Sequence, residues 1–317
     1  MQLGRIVCLL IISTFLFPGV SIGTEITDDL QDDLLFQAIE LYSDGKYNAS
    51  KEIIDRYLIF NGENASALNI KGLIQMNTGD HKGAQTNFLK ALEFSDNHAP
   101  LYYNLGLTSF YLSNMEEADE YFSKARACNT SSFDLFFYSG LVKYALGSYN
   151  EAVELLHNAS MLNPNDSATL FNLGMSYEQI KKFDLAVKAY DQAINIDPQY
   201  EKPWFFKGRI FQSFGNDTLA IKALENYTAL APEDDLGWFF YAKSLHDNAR
   251  NNESIRALRK AIDINPSKQM YKEFLSVYES DNQSTPNELI FGRLSDNLTI
   301  FILVIIFIMC GCAIYRR

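Results

Sequence analysis

A small residue recurs every 34 positions through the middle of this chain, with no insertion or deletion: Ala38, Gly72, Gly106, Gly140, Gly174, Gly208 and Ala242. Twelve positions after each stands a second: Ser50, Ala84, Ala118, Ala152, Ala186, Ala220 and Ser254. Seven further on come Tyr57, Ala91, Ala125, Ala159, Ala193, Tyr227 and Ala261. Large residues hold another register, at Phe88, Phe122, Leu156, Tyr190, Leu224 and Leu258, and Trp204 and Trp238 share one more. The last four units also share Pro164, Pro198, Pro232 and Pro266. A fixed period of this length means stacked copies of one small unit, because one unit cannot bury its apolar face alone. Seven units tile 31–64, 65–98, 99–132, 133–166, 167–200, 201–234 and 235–268.

Each unit reads as two helices. Residues 167–180 place apolar side chains three and four apart. Lys181-Lys182-Phe183 makes the turn, 184–196 gives a second helix, and Asp197-Pro198 stops it. The small registers let paired helices approach, and the large ones fill the layer between them. The fold class is all-α, a solenoid.

The ends differ from the middle. Residues 1–23 read as a signal peptide: Arg5, an apolar run from Ile6 to Phe17, then Pro18-Gly19 and a small-residue site at 21–23. That run is too short to span a bilayer, and an uncleaved anchor is the alternative. Residues 298–315 carry no charge and are long enough for a transmembrane helix; Arg316-Arg317 follow as a cytoplasmic tail. The expectation is a single-pass protein whose N-terminal portion is extracytoplasmic, at a cell surface or in a secretory lumen. Its membrane contact would rest on the last helix, since acidic protein is repelled by anionic headgroups.

Composition narrows the partners. The net charge of −12 argues against binding a phosphate backbone, so no nucleic acid is expected. Of the four cysteines, only Cys128 falls in the exported part, where it is either a small buried residue or an intermolecular link. Asn-x-Ser/Thr sequons stand at Asn48, Asn64, Asn129, Asn158, Asn165, Asn216, Asn226, Asn252 and Asn282, with one more at Asn297, too near the anchor for modification. Their number supports a glycosylated exported chain. The sequence has no phosphate-binding glycine loop, no G-x-S-x-G elbow, no H-E-x-x-H and no C-x-x-C. Its four histidines, His81, His98, His157 and His246, are scattered over three units, offering no metal-ligand set. No enzyme and no cofactor is expected.

The segments NLGLTSFYLSNMEEADEYFSKA (104–125) and NLGMSYEQIKKFDLAVKAYDQAINIDP (172–198) resemble the tetratricopeptide repeat family. The resemblance covers about three quarters of the chain. It is weaker in the first unit, which has Gln37 at a usually apolar position and Gly62 in place of proline. It implies a right-handed superhelix whose first helices line a concave groove. Residues 269–280 look like a capping helix and 281–297 a stalk.

The family pattern puts one first-helix register on the groove wall: Tyr103, Phe137, Phe171, Phe205 and Phe239, with Tyr138 nearby. A second register turns basic at Arg209 and Lys243, and Asn104 and Asn172 stand where family members hydrogen-bond a ligand backbone. These residues imply an aromatic groove for an extended peptide, with a basic end for an acidic group. The alternatives are rings packed between neighbouring helices and cations held in salt bridges. The functional expectation is a membrane-anchored protein-interaction module serving assembly of exported or envelope proteins. A mainly structural surface glycoprotein, with the solenoid as spacer, is the other.

Overall fold

The computed structural model describes residues 28–128 and 131–283. The expected leader, the stalk beyond residue 283, the apolar run 298–315 and the two-arginine tail lie outside the described residues, as do Asn129 and Asn297. Among the described residues all regular structure is α-helical, and no helix is long and apolar enough to cross a membrane.

The chain forms two compact units, one ending at Thr130 and one beginning at Ser131. The first holds three helical hairpins: α1 (Asp28–Ser43) with α2 (Tyr47–Asn61), α3 (Ala65–Asn77) with α4 (His81–Glu93), and α5 (Ala99–Tyr111) with α6 (Met115–Ala127). The second holds four: α7 (Phe133–Ala145) with α8 (Tyr149–Leu162), α9 (Ser167–Gln179) with α10 (Phe183–Ile196), α11 (Glu201–Ser213) with α12 (Asp217–Leu230), and α13 (Asp235–Asp247) with α14 (Asn251–Ile264). A single helix, α15 (Gln269–Gln283), closes it. Phe183, expected in the turn, opens α10 instead.

The hairpins share one packing rule. A Cβ added at Gly72, Gly106 or Gly174 would lie 2.5 Å from the ring of Phe88, Phe122 or Tyr190. Glycine is thus what lets a large ring seat directly against the first helix. In the first and last hairpins the small residue is alanine, Ala38 and Ala242, and the residue at the large register is aliphatic, Ile54 and Leu258. There Ser50 and Ser254 each donate a hydroxyl hydrogen bond to the alanine carbonyl, at 2.7 and 2.8 Å. All of these alanines, serines and large side chains are fully buried.

The turns inside the hairpins follow a second rule that the sequence reading missed. One position per hairpin is left-handed: Gly45, Gly79, Ser113, Gly147, Lys181, Gly215 and Ala249, with φ from 59° to 86°. Its N–H and the next close a Schellman-type cap; Ala249 N–H reaches the His246 carbonyl and Arg250 N–H that of Leu245. Side chains with a Cβ pay for this backbone shape. Ala249→Gly is therefore expected to stabilise the protein by about 0.5–1 kcal/mol, read as a higher denaturation midpoint with an unchanged slope.

The capping helix, expected over 269–280, runs three residues further. His246 explains this. Its ring stacks on Tyr278 at 3.8 Å, and its Nε2 stands 3.1 Å from Asp281. Asn282 Nδ2 donates to Asn252 Oδ1 at 3.2 Å. These partners on α13 and α14 hold the last turn of α15. Cys128, one residue beyond α6, is an exposed free thiol, which sets aside the buried reading.

Candidate functional site

In the second unit the first helices α9, α11 and α13 are tied side by side. Phe171 on α9 meets Phe206 on α11 at 5.4 Å, and Phe205 on α11 meets Phe240 on α13 at 5.5 Å. Gln212 Nε2 donates to the Phe240 carbonyl and to Ser244 Oγ. Further back, Gln179 donates to the Tyr144 hydroxyl of α7 at 3.4 Å.

Arg209 stands on this face. The residues three and four positions before it, Phe206 and Phe205, share its side of α11. The guanidinium carbon lies 5.8, 5.6 and 5.8 Å from the ring centroids of Phe205, Phe206 and Phe240. Ring faces attract a cation by about 0.5–2 kcal/mol without neutralising it. Arg209 makes no ion pair or hydrogen bond with any described residue. The other basic residue of this register is paired: Lys243 Nζ lies 2.9 Å from Asp247 Oδ2.

Glu178, on the preceding first helix, was not singled out by the sequence. Burial pushes its carboxyl above the usual carboxylate range, against the pull of the Arg209 charge and the Tyr190 hydroxyl, which donates at 3.2 Å. A carboxyl raised in the folded state favours folding while protonated. Its penalty appears as pH rises above the ordinary value of 4.5. Glu178→Gln is expected to raise the unfolding temperature by about 1–2 °C at pH 7 and to leave it unchanged below pH 4, in paired thermal scans.

The expected groove residues fall into different environments. Phe205 and Arg209 form the cluster just described. Phe137 and Tyr138 are partly exposed on α7, Phe137 stacked on Phe133 at 5.8 Å and edge-on to Tyr138 at 5.4 Å. Phe171 and Phe239 are corrections: both are buried, at 6% and 5% exposure. Phe171 is enclosed by Tyr190, Tyr200 and Phe206, and Phe239 by Tyr271 and Phe274. Here the packing alternative holds. Lys243 likewise follows the salt-bridge alternative. Asn172 donates to the Ala168 carbonyl of its own helix.

Tyr103 and Asn104 belong to the first unit. Tyr103 is partly exposed with its ring 6.1 Å from that of Phe122. Asn104 is buried, and its Nδ2 donates to Asn69 Oδ1 at 2.9 Å, so it links α3 to α5 rather than standing open to a ligand.

The described sequons lie on second helices and in connections, except Asn282, which is on α15. Asn48, Asn158 and Asn165 are exposed and make no side-chain hydrogen bond with any described residue. Asn64 and Asn216 use Oδ1 to cap helices, and the Nδ2 of Asn226 donates to the Lys222 carbonyl. No group of three metal-ligating side chains occurs among the described residues.

Hairpins of this register define a helical repeat solenoid, a class that serves as protein-interaction scaffolds. Family comparison names the repeat. One tetratricopeptide repeat model matches residues 167–200, and a second matches 65–98, 99–125 and 237–268. The chain therefore contains tetratricopeptide repeats over these four segments. No curated protein matches the sequence.

Solved structures share the fold. The C-terminal part of a TPR repeat-containing protein from Cytophaga hutchinsonii aligns with TM-score 0.63 at 14% identity, over 75% of this chain and 98% of that one. PilF of Pseudomonas aeruginosa aligns with TM-score 0.56 at 17% identity, over 68% and 96%. YrrB, described as a TPR protein with an unusual peptide-binding site, aligns with TM-score 0.54 at 23% identity, over 58% and 95%.

Proposed function

We propose that this chain is a non-enzymatic interaction module that takes an extended segment of a protein partner on the first-helix face of its second unit. The observation that carries the reading is Arg209, a partly exposed guanidinium held among three rings, with no direct ion pair or hydrogen bond to a described residue and only the buried Glu178 carboxyl acting on its charge through space. In a chain of net charge −12, an arginine without a direct ion pair on an aromatic platform suits an acidic side chain or terminal carboxylate. Phe205, Phe206 and Phe240 would supply apolar contact beside it, with Phe137 and Tyr138 further along. The family's use as interaction scaffolds and YrrB's peptide-binding site support the same reading.

The module is held outside the cytoplasm by the 298–315 helix, after export directed by residues 1–23. The apolar runs, the terminal arginines and the density of sequons support this placement. The partner is then another exported or envelope protein.

Site-specific photocrosslinking tests the face. A photoreactive residue at Phe240 or Tyr138 of the full-length membrane protein is expected to capture a partner that one at Leu219, exposed on a second helix, does not. Capture from Leu219 alone would move the contact to the second helices. No capture from any position would favour the spacer.

A further inference from the structure

We propose that Asn165 carries an N-linked oligosaccharide whose first sugars lie in an apolar recess beside it; this rests on the reading of the chain as exported. The recess, about 620 Å³, sits in the second unit between α8 and α10, with Leu170, Leu173 and Tyr177 of α9 among its walls. That size falls in the range of clefts that hold small ligands, about 300–1,000 Å³. Its rim leaves Met161 69% exposed and Leu185 and Ile196 38% each. Covering this apolar area would be favourable, as burial of apolar surface generally is.

Three observations point to a sugar as that cover. The attachment atom is part of the wall: Asn165 lines the recess and opens the sequon Asn165-Asp166-Ser167. Its side chain is exposed and bonded to nothing described, whereas Asn226 and Asn282 already donate through Nδ2. The backbone that presents it is fixed, because Asp166 accepts from Thr169 N–H and from its hydroxyl at 2.7 and 2.6 Å.

The lining chemistry agrees. In a strongly acidic chain the recess contains no carboxylate, and His157, Lys188 and Gln192 supply polar groups beside the apolar walls. An amido sugar matches such a surface. Its C–H faces and acetyl methyl pack on leucine and tyrosine, and its hydroxyls bond the amide, ammonium and imidazole groups. In the attachment step Nδ2 bonds to the anomeric carbon of an oligosaccharide carried on a lipid pyrophosphate. The anomeric C–O bond breaks, the pyrophosphate leaves with the electron pair, and the amide loses one proton.

The test uses the full-length chain made in an N-glycosylating host. Peptide mass analysis is expected to find Asn165 modified. Asn165→Gln, Ser167→Ala and enzymatic deglycosylation of the folded protein are each expected to raise binding of an anilinonaphthalene dye at least about two-fold and to speed hydrogen exchange over 183–196. Asn48→Gln is expected to change neither. Modification at other sequons with Asn165 bare overturns the proposal and leaves the export reading standing. No modification at any sequon overturns both. A modified Asn165 whose removal changes neither dye binding nor exchange overturns the seating of the sugar.

Discussion

Phe122→Ala is expected to lower stability by about 3–5 kcal/mol, measured by chemical denaturation of the full-length protein. The Phe122 ring is fully buried and fills the space against Gly106, where a Cβ would come within 2.5 Å of it. Truncation leaves a cavity that Gly106 cannot fill, and the walls are set by Ala118 and Ala125, both at 0% exposure. Gly106→Ala errs in the other direction, by overpacking, and is expected to cost about 1–3 kcal/mol. The pair tests the packing rule itself. Ala242 faces Leu258, yet a Cβ at Gly140 or Gly208 would lie 2.6 or 2.7 Å from Leu156 or Leu224, so Gly106→Ala combined with Phe122→Leu is expected to recover only part of the two single losses added together. Simple additivity would contradict the rule.

Tyr271→Ala is expected to cost a similar amount, about 3–5 kcal/mol, and to free α15. The ring is fully buried and lies 5.1 Å from that of Phe239. Its hydroxyl donates to Asp235 Oδ2 at 2.6 Å, beside Lys268 Nζ, also at 2.6 Å. Burial opposes the charge on Asp235, but these donors outweigh it and hold the carboxyl below its ordinary value of 3.8. That contribution is present above pH 3.8 and fades as pH falls through the lowered value. Tyr271→Phe keeps the ring and the Lys268–Asp235 bond and loses only the hydroxyl's own bonds, so it is expected to cost about 0.5–1.5 kcal/mol. Hydrogen exchange over 269–283 distinguishes the variants: fast in Tyr271→Ala, near native in Tyr271→Phe.

The hairpins were legible because their packing is written at fixed spacing. Gly72, Gly106 and Gly174 repeat at the same distance from Phe88, Phe122 and Tyr190, and a ring facing a glycine leaves one way to pack. The left-handed turn position was equally periodic, yet Ser113, Lys181 and Ala249 interrupt its glycines and hide the pattern. The end of α15 was not legible. Residues 281–283 look polar and stalk-like alone, and only the contacts of Asp281 with His246 and of Asn282 with Asn252 make them helix.

The candidate site was read less well, for a physical reason. A first helix packs against both its own hairpin partner and the next repeat, so an aromatic register does not say whether a ring faces solvent. Phe171 and Phe239 are covered because the following element brings large rings to them, Phe206 in one case and Tyr271 with Phe274 in the other. Phe205 keeps partial exposure in the same register. The basic register split in a similar way. Lys243 has Asp247 one turn on, while the residue one turn after Arg209 is Ser213. That i,i+4 difference was a usable signal in the sequence.

The most direct test of the account is an affinity measurement against a library of acidic-ended peptides, with full-length protein in detergent. The account predicts saturable binding of a subset of these peptides, weakened at least about ten-fold by Arg209→Gln and by amidation of the peptide's C-terminal carboxylate or acidic side chains. Binding that is unchanged in Arg209→Gln and falls on second-helix residues would contradict it.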